Sequence, residues 1–362
     1  MSGHKDYMSM VGWCTQDVYA KSWKYTTALY SNRFSPALDI GKQLLERIGA
    51  LCGMSDGLLT SSSSHSNFEA LRRAKAKTLG KYLLCTSLTH QSVRESCEAL
   101  GLEALAIPVD NLHRARDEDV RARLPETRDI AAIVSTYGTT SFGEIETLHE
   151  LPSVRELRAN GVWTHIDAAY GGMLGAFLSP EDLLTFTREA NSVTIDPYKF
   201  IGVPGNAVLL LRQPGELPTC SYYCTSGLTP HTTLAAASGY TALKMWDCFG
   251  DEGMMRLANR CRNNAIDFGM EISKLEGVVP SVSLGIVSVP LEKEHVDPFV
   301  STLLENGFLI GKYAYTNRYR ETKTGIRAVF TPRLPERRKS NVKALSEAFI
   351  AVYQRMMKKE PS

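Results

Sequence analysis

The chain has 362 residues, 43% of them hydrophobic and 22% charged, which suits an ordinary soluble protein with room for two domains and a sizeable core. Lys and Arg number 41 against 39 for Asp and Glu, a net charge of +2. That balance, with basic and acidic residues interleaved as in Arg114-Ala115-Arg116-Asp117-Glu118-Asp119, gives no footing for a nucleic-acid partner. The N-terminus has no apolar h-region, and the longest aliphatic run, 207–211, is too short to span a bilayer, so a cytoplasmic protein with no membrane partner is expected. The eight cysteines form no Cys-x-x-Cys pair and read as reduced thiols, and no metal is expected.

Residues 38–52 carry Leu44, Leu45, Ile48 and Leu51 on one face and stop at Gly53, which predicts an amphipathic helix. The serine run 61–64 leads into a second predicted helix over 67–79. Next come a short strand over 82–85, a helix over 91–100 closed by Gly101, a strand over 104–109 and a short helix over 118–124. The continuous apolar run 130–135 predicts a buried strand. A helix over 146–160 and strands over 163–166, 193–195 and 207–211 follow. After about 230 the pattern changes to two long helices (233–247 and 252–274), strands over 286–289 and 326–330, and a last helix over 340–358. This order predicts an α/β fold: a mostly parallel sheet covered on both faces, then a smaller α+β domain. Ligands of such sheets lie beyond the carboxyl ends of the strands.

Four segments fall at strand ends or helix starts. In Thr60-Ser61-Ser62-Ser63-Ser64-His65-Ser66-Asn67, hydroxyls and free N–H groups open a helix, which suits a phosphate; a plain N-cap with a polar loop explains it as well. In Thr164-His165-Ile166-Asp167-Ala168-Ala169-Tyr170-Gly171-Gly172, a strand delivers Asp167 to its end and small residues follow, so a flat cationic ring could approach; an Asp capping the next turn is the plainer reading. In Ser192-Val193-Thr194-Ile195-Asp196-Pro197-Tyr198-Lys199, Pro197 stops the strand and presents Lys199, whose amine can form a Schiff base in a partly dry pocket; an ordinary surface Lys is the alternative. Ser135-Thr136-Tyr137-Gly138-Thr139-Thr140-Ser141-Phe142-Gly143 sets hydroxyls after the strand of 130–135, or forms a turn.

One ligand needs all four: a phosphate cradle, a hydroxyl near a phenolate oxygen, an acid for a pyridinium nitrogen and a Lys for an aldehyde describe pyridoxal 5'-phosphate. His90 adds an imidazole placed to stack on the ring. On these motifs the chain resembles the group II pyridoxal-phosphate-dependent amino acid decarboxylases of the aspartate aminotransferase fold type (fold type I), and most of all the short archaeal tyrosine/aspartate decarboxylases and related bacterial enzymes. The segment from His165 to Gly172 matches the family's His-x-Asp-Ala-Ala-[Tyr/Phe]-Gly-Gly, and Gly138 to Gly143 its Gly-Thr-Thr-x-x-Gly. Asp196-Pro197-Tyr198-Lys199 stands for Asp-Pro-His-Lys, and 60–67 for Thr-Ser-Gly-Gly-Thr-Glu-Ser-Asn. The match runs from about 40 to 250 and is looser beyond, around Arg327.

The resemblance implies that Lys199 carries the coenzyme as a Schiff base, Asp167 pairs with the pyridine nitrogen and His90 stacks on the ring. Ser62, Ser63 and Ser64, helped by Asp196 or Tyr198, would hold the phosphate. Thr140 would lie by the phenolic oxygen, Ala169 would pack on the ring, and His165 joins the coenzyme-binding set. It also implies a homodimer with sites at the subunit boundary. The expected division is an N-terminal arm (1–40), a large coenzyme-binding domain (41–240) and a small C-terminal domain (241–362). Several positions depart from the family: Tyr198 replaces a His, Ser62 and Ser63 replace glycines, His65 replaces a Glu, 227–231 lacks the family Arg, and Cys14-Thr15 lacks the Pro-His that follows it in the family. Lys199 and Asp167 are kept, so coenzyme binding is expected, while the departures open the substrate and reaction type.

The expected reaction is decarboxylation of an L-amino acid to its amine. Other carbanion chemistry on the same coenzyme (aldehyde formation after decarboxylation, or retro-aldol cleavage) is the alternative, and a non-catalytic subunit of the same fold is a third reading. Tyr222 and Tyr223 would belong to a mobile loop over the site or to packing. Arg327 would take a substrate carboxylate or lie on the surface.

Overall fold

The computed structural model describes residues 36–124, 127–202, 207–213, 230–331 and 340–357. Seven strands form the larger sheet: β1 (Asp56–Thr60), β2 (Tyr82–Thr86), β3 (Glu103–Ile107), β4 (Ile130–Thr136), β5 (Trp163–Ala168), β6 (Ser192–Ile195) and β7 (Ala207–Leu211). Their order is β1-β7-β6-β5-β4-β2-β3. Every pair from β6 to β3 is parallel, and β7 is antiparallel to both β6 and β1. All strands except β7 therefore end at the same edge.

The apolar runs follow from burial on both faces. Along β7, Val208 and Leu210 enter one core while Leu209 and Leu211 enter the other, the two-residue period of a strand with no wet side. On one face the helix Ser63–Thr78 buries Ala70, Leu71 and Ala74 against Leu83, Ala132, Val134 and Leu209. On the other, the helices Pro36–Cys52 and Gly171–Leu178 pack Leu44, Ile48, Met173 and Leu174 on Ile166, Val193, Ile195 and Val208. Each fully buried aliphatic side chain contributes roughly 1.5–3 kcal/mol.

A second sheet follows in the chain: β8 (Ser281–Ser283), β9 (Ile286–Pro290), β10 (Gly311–Thr316) and β11 (Thr322–Val329), in the order β10-β11-β9-β8 and antiparallel throughout. Phe268, Phe299 and Phe349, from three helices, fill its core with Val287, Val289 and Ile326. The helical run Pro230–Ile272 that leads to it breaks at Gly250 (φ 62°, ψ 174°), between the two helices expected from the sequence. The α/β class with a mostly parallel sheet and a smaller unit is thus the observed one.

Some elements differ from the sequence reading. Strand β1 was not expected, because five residues leave little periodicity to see. The helix expected from 67 begins at Ser63, since the Ser62 hydroxyl accepts from His65 N (3.2 Å) and caps it. The helix expected over 146–160 is only Pro152–Ala159, started by its proline, because Glu146 N bonds back to Thr136 O (2.9 Å). The helices Gly171–Leu178, Pro180–Thr187 and Lys293–Glu305 were also unforeseen; the first opens on two glycines and the last contains Pro298.

Gly171 packs so closely on the segment after β4 that a Cβ would lie 2.2 Å from Tyr137 O. Gly171→Ala is expected to cost about 3 kcal/mol or more, because backbone must move. A Cβ added at Gly161 (φ 84°) would meet no other atom within 4 Å, so Gly161→Ala should cost only about 1–2 kcal/mol of left-handed strain. Thermal or denaturant melts of the two variants test this ranking.

Candidate active site

The four segments singled out in the sequence, together with His90, meet at the edge where β1, β2, β4, β5 and β6 end. β1 feeds the serine run, β2 the loop to His90, β4 the loop 138–143, β5 Asp167, and β6 the short helix Pro197–Ile201 that carries Lys199. The convergence is electrostatic as well as topological. Burial lowers the His90 pKa, the Asp167 charge opposes this, and the charges of Lys199 and Arg327 add to the lowering.

Asp167 is 4% exposed. Its Oδ1 accepts from Ala169 N (3.1 Å) and its Oδ2 from Asn67 Nδ2 (3.0 Å). Both donors are neutral amides, and among the described residues no cation forms an ion pair with this carboxylate. A buried carboxylate in that state calls for a positive partner, and a protonated pyridine nitrogen meets the need. Arg327 makes the complementary case: Nη1 donates to Thr140 O, while Nε is buried and without a partner. Pyridoxal phosphate therefore fits the donor set present.

The helix Ser63–Thr78 has Ser62 as cap and Ser63 and Ser64 in its first turn, so its free N–H groups and hydroxyls form an anion cradle. Asp196 accepts from Tyr198 N (3.1 Å) and from the Ser63 hydroxyl, tying this cradle to the lysine-bearing helix. Burial raises the Asp196 pKa to about 6, against the pull of Lys199. Tyr198 and Lys199 are half-buried. Ala169 is buried and Thr140 half-buried.

His165, which the resemblance implies is a coenzyme contact, is 0% exposed and both ring nitrogens are engaged by protein groups: Nδ1 with Ser192 Oγ (2.9 Å) and Nε2 with Asn67 Oδ1 (3.1 Å). It sits behind Asp167 and reaches the site through Asn67. Tyr222, Tyr223 and 227–229 lie outside the described residues.

Sequence reasoning did not single out Glu146. Its carboxylate accepts from Thr136 N (2.8 Å) and from the Thr86 hydroxyl, joining the ends of β4 and β2 beside the site. A lone Glu past a glycine loop gives no sign of burial. Four contacts from the second sheet also hold the loop after β4. Arg327 reaches Thr140 O, Ser288 Oγ donates to Ser141 O (2.6 Å), Ser283 Oγ to Gly143 O (3.0 Å) and Ser281 Oγ to Glu144 Oε1 (3.3 Å).

Comparison with known proteins agrees with this geometry. The family model described as "Pyridoxal-dependent decarboxylase conserved domain" matches residues 49–288, and the chain belongs to that family. A probable L-tyrosine/L-aspartate decarboxylase of Methanoculleus marisnigri is 28% identical over 305 residues, covering 79% of this chain and 82% of that protein. Among solved structures, the Lactobacillus brevis glutamate decarboxylase shares the fold with a TM-score of 0.75 at 17% identity, over 94% of this chain and 87% of its own. Oryza sativa TDC, solved with PLP and tryptamine, also gives a TM-score of 0.75, at 14% identity over 97% and 82%. The chain is accordingly a pyridoxal-phosphate-dependent carboxy-lyase acting on an amino acid.

Burial lifts the Glu146 pKa from 4.5 to about 7, against its hydrogen bonds from Thr86 and Thr136. The folded state therefore holds this proton more tightly than the unfolded chain. The resulting stability is full below about pH 4.5 and is lost as pH rises through 7. Glu146→Gln, a neutral isostere, should remove that slope, at most on the order of 3 kcal/mol across the window. Chemical denaturation from pH 4.5 to 8 reads the difference.

Proposed function

We propose that this protein decarboxylates an L-amino acid with Lys199 as the coenzyme-bearing residue and Asp167, His90 and Arg327 arranged around it. The observation that supports the reading is that β2, β5 and β6 end at one sheet edge and so bring His90, Asp167 and Lys199 to it, with Asp167 and His90 joined through Asn67 and Ser92. Bound pyridoxal phosphate supplies an aldehyde for the substrate amine and a ring that accepts the electron pair left when CO2 departs.

In this reading the cradle of Ser62, Ser63 and Ser64 binds the phosphate, with Asp196 and Tyr198 beneath it. Asp167 keeps the ring nitrogen protonated, which preserves the ring's pull on electrons. Ala169 and His90 would hold the two faces of the ring, His90 as a neutral imidazole because burial lowers its pKa, and Thr140 would hold its phenolic oxygen. Arg327 orients the α-carboxylate with its remaining N–H groups, and the Lys199 Nζ returns a proton to Cα after CO2 leaves.

Relatives named for tyrosine and aspartate decarboxylation make those two amino acids the first substrates to test. We also propose a cytoplasmic homodimer, from the family resemblance, and a division near 240 between a coenzyme-binding domain (41–240) and a small domain (241–362), preceded by an arm (1–40). Among the described residues no helix is long and apolar enough to cross a membrane.

Purified protein mixed with tyrosine, aspartate and a panel of other amino acids should release CO2 and the matching amine, identified by mass. Aldehyde plus ammonia, or a side-chain fragment, would instead mark a different carbanion reaction. Lys199→Ala should lose the yellow absorbance and lower kcat by about a thousandfold or more. Arg327→Met should lower kcat/KM by about 10–100-fold, chiefly through KM, the size expected for lost charged hydrogen bonds to a carboxylate.

A further inference from the structure

Trp163, His165 and Asp167 alternate along β5, so all three face the sheet side covered by the helix Ser63–Thr78, which brings Asn67. Ser192 is the register partner of His165 on β6. These placements build one unbroken hydrogen-bond chain behind the site. Trp163 Nε1 donates to Ser192 Oγ (3.0 Å), and Ser192 Oγ meets His165 Nδ1 (2.9 Å). His165 Nε2 meets Asn67 Oδ1 (3.1 Å), with Thr194 Oγ1 farther off at 3.4 Å. Asn67 Nδ2 donates both to Asp167 Oδ2 (3.0 Å) and to Ser92 Oγ (3.1 Å). Ser92 Oγ meets His90 Nδ1 (2.8 Å), which also accepts from Ser92 N (3.1 Å).

The hydrogen-bonding chemistry of the side chains points to one proton placement along this chain. An ionised carboxylate only accepts, so Asn67 must turn its NH2 to Asp167 and its carbonyl to His165. That carbonyl requires Nε2–H on His165, leaving Nδ1 as acceptor for the Ser192 hydroxyl. The far end agrees, since the Trp163 indole can only donate and so leaves the Ser192 proton free for His165. A backbone N–H aimed at His90 Nδ1 likewise makes that atom an acceptor and puts the proton of the neutral ring on Nε2. Burial lowers the His165 pKa to about 4, which is consistent with a neutral imidazole.

We propose that Asn67 is a positioning residue whose single side-chain amide fixes both the Asp167 carboxylate and, through Ser92, the His90 imidazole, with its own orientation locked by His165, Ser192 and Trp163. An amide flip would turn Oδ1 toward Asp167 and NH2 toward a nitrogen that is itself a donor. The lock forbids that flip, so the two groups that meet the coenzyme ring move as one unit. The inference deepens the proposed coenzyme contacts of Asp167 and His90 and rests on them.

Two measurements test it. Nitrogen-15 NMR of histidine-labelled wild-type protein at pH 7, with the two rings assigned by His90→Gln and His165→Gln, should show both His90 and His165 protonated at Nε2 and bare at Nδ1. A proton on Nδ1 of either ring overturns the proposal, with or without coenzyme. Titration of pyridoxal phosphate into unloaded protein should give a Kd at least about tenfold higher for Asn67→Leu, an apolar near-isostere, than for wild type. Equal affinity overturns the proposal. Should Asn67→Leu not fold, Ser192→Ala serves instead: a second His165 tautomer should appear and coenzyme affinity should fall, whereas an unchanged ring and unchanged affinity refute the lock. Failure of the wild-type protein to bind pyridoxal phosphate would defeat the coenzyme reading separately, while the imidazole tautomers would still judge the chain.

Discussion

The buried negative charge of Asp167 is the constraint around which this edge of the sheet is organised. A carboxylate removed from water costs several kcal/mol unless donors and a cation compensate it. Ala169 N and the Asn67 amide supply the donors, and both are fixed by secondary structure, one by the turn after β5 and one by the helix across the face. The cation is left to the coenzyme. A charge solvated by rigid dipoles gives a ring nitrogen the same environment in every molecule and needs no reorganisation when the coenzyme arrives.

The same logic explains why the site lies where elements end. Parallel strands deliver His90, the loop after β4, Asp167 and Lys199 to one edge, and β1, running in the same sense, adds the serine cradle. Beneath that edge Glu146 stitches β2 to β4 through the Thr86 hydroxyl and Thr136 N. The polar groups of the site thus stand on a floor that is itself hydrogen-bonded, so their spacing does not depend on long exposed side chains.

Much of this was legible in the sequence, and for physical reasons. The runs at 130–135 and 207–211 are apolar without alternation, a pattern that needs cover on two faces, and both lie inside the sheet. Lys199 and Asp167 were readable because a Pro or a pair of small residues follows a strand at each. What was hidden depends on contacts across the chain. Asn67 stood inside a serine-rich motif with no mark of its partnership with Asp167, which is 100 residues away. His165 joined the coenzyme-binding set through the family motif it opens, yet it lies in the interior in register with Ser192. Glu146 gave no sign because a carboxylate is ordinarily a surface residue. The short strand β1 and the glycine-led helix after Tyr170 lacked the length or composition that periodicity requires.

The clasp of Arg327, Ser288, Ser283 and Ser281 on the loop after β4 bears on how the protein is made. Synthesis runs from the N-terminus and domains fold as units in that order. All seven strands of the large sheet have left the ribosome before any residue of the clasp, whose last member, Arg327, lies 116 positions beyond Leu211, the end of β7 (327 − 211). A nascent chain can therefore assemble the sheet early and yet present a binding edge whose 138–144 segment is not yet gripped. The grip on 138–144 is thus completed last, once β8, β9 and β11 of the second sheet are in place.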